Sequence, residues 1–119
     1  MRVNLLLGTA ISLLVILIQP LQSLAAEVLQ VRTATLLQVG DRNRNYSVQL
    51  ACVEVSPEDQ QRAQQWMRQA LPRRRRVNLR PEGSAEGVLL ARVTPIGDDL
   101  DLGAALVQEG LAHITCPSS

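Results

Sequence analysis

The chain has 119 residues, room for one small domain, and a formal net charge of +1 from 12 basic and 11 acidic residues. That balance excludes a polybasic, histone-like protein, and 46% hydrophobic residues exclude a disordered chain. Every basic residue is an arginine, and two cysteines with one histidine are too few for a four-ligand structural zinc site.

Residues 1–25 read as a secretory signal peptide. Arg2 is the positive start, Leu5 to Ile18 is an apolar run broken only by Gly8, Thr9 and Ser12, and Pro20 stops a helix. Ser23 and Ala25 place small residues three and one positions before a cleavage point after Ala25. The run is short against the roughly 20 residues of a membrane span. The expectation is export to the periplasm or outside the cell. The alternative is a domain tethered to the membrane by an uncleaved signal. The domain then covers 26–119, with 11 arginines against 11 acids and no transmembrane span of its own. Export makes a Cys52–Cys116 disulfide plausible, since no third cysteine competes. Two free thiols are the alternative.

The first predicted elements are strands. Val28 to Val39 reads as strand, turn and strand, Gly40 to Asn45 as a polar turn, and Tyr46 to Val55 as a third, alternating strand. A helix follows, with Ser56 as N-cap, Pro57 at its first position and Asp59 as capping-box partner. Ala63, Trp66, Met67, Ala70 and Leu71 share its apolar face, which places Trp66 in the core. Pro72 ends it, and Arg73, Arg74, Arg75 and Arg76 follow, with Arg76 opening a strand.

Val77 to Leu79 reads as that short strand, Pro81 to Gly83 as a turn, Val88 to Val93 as another strand, and Pro95 to Gly97 as a loop. Asp98, Asp99 or Asp101 caps a second helix, with Leu102, Ala105 and Leu106 inward. Gly110 is its C′ residue, with Leu111 as hydrophobic partner, and His113 to Cys116 reads as a last short strand. Three strands, a helix, two strands and a helix make a mainly β, α+β domain. The arrangement is that of a five-stranded OB-fold barrel with two to three helices.

Particular stretches resemble the thermonuclease-like (micrococcal-nuclease-like) domains. Val48 to Glu58, ending Val55-Ser56-Pro57-Glu58, is similar to their strand-to-helix signature. Gly87 followed by Leu89-Leu90-Ala91-Arg92-Val93 resembles their Gly-Arg-x-x-Ala strand, and Leu100 to Ala112 resembles their last helix. The cysteine pair resembles that of secreted bacterial members. The likeness runs from about Val28 to Cys116.

The resemblance implies cleavage of DNA and RNA phosphodiester bonds with one calcium ion. Two aspartates hold the metal, a glutamate activates water, and two arginines stabilise the phosphate. Hard cations take oxygen ligands, and guanidinium forks suit a phosphate with developing charge. Carried across, the metal aspartates fall on Thr35 and Glu54, the glutamate on Glu58, and the arginines on Gln49 and Val88. Both arginines and one aspartate are thus replaced, and a lost Arg loses charge and fork together. Rescue would need Asp41 as ligand and Arg42, Arg44 or Arg92 as substitutes.

The resulting expectation is a non-catalytic, monomeric binding domain for nucleic acid or another polyanion, without a cofactor. Glu58 is a relic general base in its first helical turn, and Glu54 a possible metal ligand. Arg73, Arg74, Arg75 and Arg76 are the candidate phosphate contacts, set against a merely solvated loop. Tyr46 is the one candidate for base stacking, and His113 reads as a non-catalytic surface or core residue. The alternatives are an atypical calcium-dependent nuclease and an envelope-associated structural protein.

Overall fold

In the first strand the buried positions are Ala26, Val28 and Val31, a spacing that breaks the two-residue alternation of a flat strand. The computed structural model, which describes residues 24–116, shows why. Strand β1 (Leu24–Val31) carries a bulge between Val28 and Gln30 in its pairing with β2 (Leu36–Asp41). The extra residue shifts the phase, so all three side chains point inward. The expected signal peptide lies outside the described residues up to position 23. Leu24 and Ala25 pair with Leu79 and Asn78 but stay exposed, and Ala26 is the first core residue.

The connection between β1 and β2 is held by a threonine. The Thr33 hydroxyl accepts from the backbone N–H groups of Thr35 (3.2 Å) and Leu36 (3.1 Å), a local side-chain turn. Strand β3 (Arg44–Leu50) pairs antiparallel with β2 from Arg44 to Gln49. The expected turn from Gly40 to Asn45 is therefore shorter than its composition suggested. Only Arg42 and Asn43 leave the ladder, with Arg42 at φ 55°.

The expected third strand through Val55 breaks at Ala51 and Cys52, where Cys52 takes φ 62°. The chain there leaves the barrel. Strand β4 (Val53–Glu54) instead pairs with β7 (His113–Ile114), and the Cys52–Cys116 disulfide closes the end of that ribbon, Cα atoms 4.9 Å apart.

The helical entry differs from the capping box. Pro57–Asp59 forms a 3₁₀ turn, and the Ser56 side chain makes no capping bond. The Gln60 amide donates to the Val55 carbonyl (3.0 Å) and Asp59 pairs with Arg62 (3.5 Å), so the two expected capping groups are replaced or diverted. Helix α1 (Gln60–Ala70) buries Ala63 and Met67, followed by Leu71. Trp66 is only half-buried at the edge of that face, against the expected core position. One helical step away from the Ala63–Met67 line, it covers the core margin instead.

Strand β5 (Arg76–Ala85) runs straight through the expected turn at Pro81–Gly83. A register irregularity there absorbs the proline, which has no N–H for the ladder. The turn falls at Glu86–Gly87, both at positive φ (53° and 80°), the combination that a two-residue hairpin requires. Strand β6 (Val88–Pro95) then pairs antiparallel with β5 and parallel with β3.

The sheet closes in the order β1-β2-β3-β6-β5, with α1 between the third and fourth barrel strands. This is an OB-fold barrel, as the element order predicted. Its interior holds Leu37, Val39, Val48, Val77, Leu79, Ala91 and Val93, all fully buried. Each large aliphatic side chain there contributes roughly 1.5–3 kcal/mol by leaving water.

Helix α2 (Leu102–Gln108) is capped by Asp101, whose carboxylate accepts from the Ala104 N–H (3.0 Å). At its end the Leu111 N–H bonds the Leu106 carbonyl and the Gly110 N–H bonds that of Val107, with Gly110 at φ 74°. This Schellman motif is what Gly110 and Leu111 predicted. Asp101→Ala is expected to lower unfolding free energy by about 1 kcal/mol in urea titration. Asp99→Ala, an exposed carboxylate with no ion-pair partner among the described residues, tests whether that loss is specific.

Candidate functional site

Of the residues that the thermonuclease-like resemblance matched, Thr35 and Gln49 meet at one end of the barrel. Thr35 ends the β1–β2 connection, and its carbonyl accepts from the Leu50 N–H (2.8 Å). Gln49 stands on β3 opposite Leu36. The Gln49 side-chain amide donates to the Thr35 hydroxyl at 2.7 Å. The positions of a metal aspartate and a phosphate arginine in the resemblance are thus in contact here, as a neutral pair.

The other matched residues do not add the missing charge. Val88, at the start of β6, is apolar and half-buried. Glu54 is 68% exposed on β4, and its carboxylate lies 4.0 Å from the His113 imidazole, itself 58% exposed. Glu58 is exposed in the 3₁₀ turn. Among the described residues, no three carboxylate, imidazole or thiol groups converge as a metal site would require.

The candidates for rescue lie elsewhere. Asp41 is at the far end of β2 from Thr35, six positions away and on the order of 20 Å at strand rise. Arg42 and Arg44 share that far end. Arg92 donates to the Glu82 carboxylate at 2.8 Å, a bond that raises its pKa before any other effect. Tyr46 is half-buried, its hydroxyl is enclosed without a partner among the described residues, and the Arg44 guanidinium sits over its ring at 5.5 Å. Burial, and then Asp41, push its hydroxyl pKa up. One ring face is therefore already covered by a cation, which leaves less of it to stack a base.

The four consecutive arginines separate into two roles. The Arg74 N–H donates to the Val28 carbonyl (2.7 Å), and the Arg75 carbonyl accepts from the Val28 N–H (2.9 Å). The run is thereby strapped to β1. The Arg75 guanidinium donates to the Ile96 carbonyl (3.1 Å) and lies 3.6 Å from Asp98. It is a clamp on the loop after β6. Arg73, Arg74 and Arg76 are exposed.

Arg76 opens β5 as expected and shares an open cleft of about 830 Å³ with Arg42, Asn45, Leu29, Glu27 and Asp41. Arg42 is the residue that sequence reasoning did not assign to this edge. Its signal was its place at the tip of a hairpin, where a long side chain projects into water.

Among the described residues, no helix is long and apolar enough to cross a membrane. No protein-family model matches the chain, and no curated protein matches it.

Proposed function

We propose that this chain is an exported, non-catalytic thermonuclease-like module that binds nucleic acid or another polyanion along its arginine edge. The edge carries the reading: Arg73, Arg74 and Arg76 are exposed on one strapped segment, with Arg42 across the same cleft as Arg76. Such guanidiniums displace counterions from a polyanion and need no base-specific geometry. Glu27 and Asp41 on the cleft wall confine the contact to its arginine rim.

The neutral Thr35–Gln49 pair supports the non-catalytic half of the proposal. A phosphate approaching it meets one amide and one hydroxyl, where charge stabilisation needs a cation and a guanidinium fork. The disulfide supports export, since such bonds persist in oxidising compartments.

The test is a salt series of affinities for a single-stranded oligonucleotide and for heparin. Log affinity is expected to fall linearly with log salt. In the Arg73→Ala, Arg74→Ala, Arg76→Ala triple variant the oligonucleotide slope shrinks by about 2, at roughly 0.7 per phosphate contact. Arg75 is left in place because it clamps the loop. An unchanged slope, or no binding of either polymer by the parent chain, overturns the proposal.

A further inference from the structure

Trp66 forms a ridge between two clefts. On one side lies a space of about 580 Å³, with Ala70, Leu100 and Ala105 among its apolar lining and Asp98 and Asp99 at its rim. On the other lies a smaller one of about 280 Å³, bounded by Arg62, Gln65, Gln69, Glu109 and Leu111. Leu100 is 45% exposed and lines the same cleft as the indole. The indole and this leucine present a small apolar strip to solvent.

The charges around the strip do not cancel. Arg75 is committed to Asp98 and the Ile96 carbonyl, and Arg62 is paired with Asp59. Asp99 and Glu109 have no ion-pair partner among the described residues. Behind it, Asp99 also borders the cleft of Arg80 and Arg92, yet neither guanidinium reaches it and Arg92 is held by Glu82. Within the two clefts that flank the indole the unmatched groups are thus the carboxylates of Asp99 and Glu109, while Arg80, unpaired among the described residues, lies in the cleft behind Asp99. A polyanion is repelled here, and a cation gains from both the carboxylates and the ring face.

We propose that the Trp66 ridge docks a basic peptide segment of a partner protein. An arginine or lysine side chain lies along the indole with its charge toward Asp99 or Glu109, and a neighbouring apolar residue sits on Leu100. This surface adjoins the arginine segment through Arg75, but it does not use the exposed guanidiniums of Arg73, Arg74 and Arg76.

Trp66 is the only tryptophan of the chain, so its emission reports on the site directly. The full oxidised chain is titrated with the peptide Ac-Leu-Arg-Leu-Arg-Leu-NH₂ and with its Arg-to-Glu counterpart. A saturable change in emission is expected with the basic peptide alone. The Asp99→Asn, Glu109→Gln variant, altered only at exposed positions, binds about tenfold more weakly, as two exposed charge contacts imply. Leu100→Ser also weakens binding. No response to the basic peptide, an equal response to the acidic one, or unchanged affinity in the charge variant overturns the proposal.

Discussion

Replacing Cys52 and Cys116 together with serine is expected to remove about 4 kcal/mol of stability, the value that the chain-entropy model gives for a loop of this size. The bond joins residues 64 positions apart, from the end of the third barrel strand to the far side of α2. It therefore constrains most of the unfolded chain. In the folded state it also holds the β4–β7 ribbon, whose ladder is only Val53↔Ile114 and Glu54↔His113. An isolated two-stranded ribbon of two such pairs does not persist unaided.

A domain of this size has only some 5–15 kcal/mol to lose. The melting temperature should fall by about 20 °C, read by circular dichroism beside the oxidised parent. A shift of a few degrees would mean that the barrel and helices are stable without the link.

Leu37→Ala should cost about 3 kcal/mol, the second largest effect. Leu37 is fully buried on β2, between β1 and β3, which supply Val28 and Val48 to the same interior that Val39 of β2 also enters. A closed five-stranded barrel has little freedom to collapse around a deleted isobutyl group, because each strand is hydrogen-bonded on both sides. Urea titration should show a lower midpoint with an unchanged slope. Leu100→Ala, at an exposed position, should change stability by less than about 0.5 kcal/mol. Similar costs at both positions would contradict the assigned core.

The barrel was legible because its signals are local. Val48 and Leu50 alternate with polar neighbours, and Gly110-Leu111 spells a helix end that the structure realises bond for bond. What escaped the sequence depended on contacts at a distance. Pro81-Glu82-Gly83 has the composition of a turn, yet a hairpin closed by Glu86–Gly87 carries the strand through it. Tyr46 to Val55 alternates throughout, but the disulfide and β7 draw Val53 and Glu54 out of the barrel. Ser56 has the residue type of a cap, while the Gln60 amide reaches the chain before it.

The site was legible as a set of positions and not as an arrangement. Gln49 and Thr35 are 14 residues apart, and nothing in either identity announces that they meet. Likewise, four identical arginines in a row give no sign that Arg75 turns to a carbonyl on another strand while its neighbours face water. Trp66 has helical core spacing, yet Ala63 and Met67 take the core positions and leave it partly buried against the core margin.

The most direct test of the account is a cleavage assay on the oxidised chain with single-stranded DNA and RNA, in calcium and in chelator, beside Glu58→Ala. A barrel with a neutral pair at the positions that the thermonuclease-like resemblance assigns to charge stabilisation is predicted to leave both nucleic acids intact under every condition. Calcium-dependent cleavage that disappears in Glu58→Ala would contradict it and place a working phosphodiesterase at the Thr35–Gln49 end of the barrel.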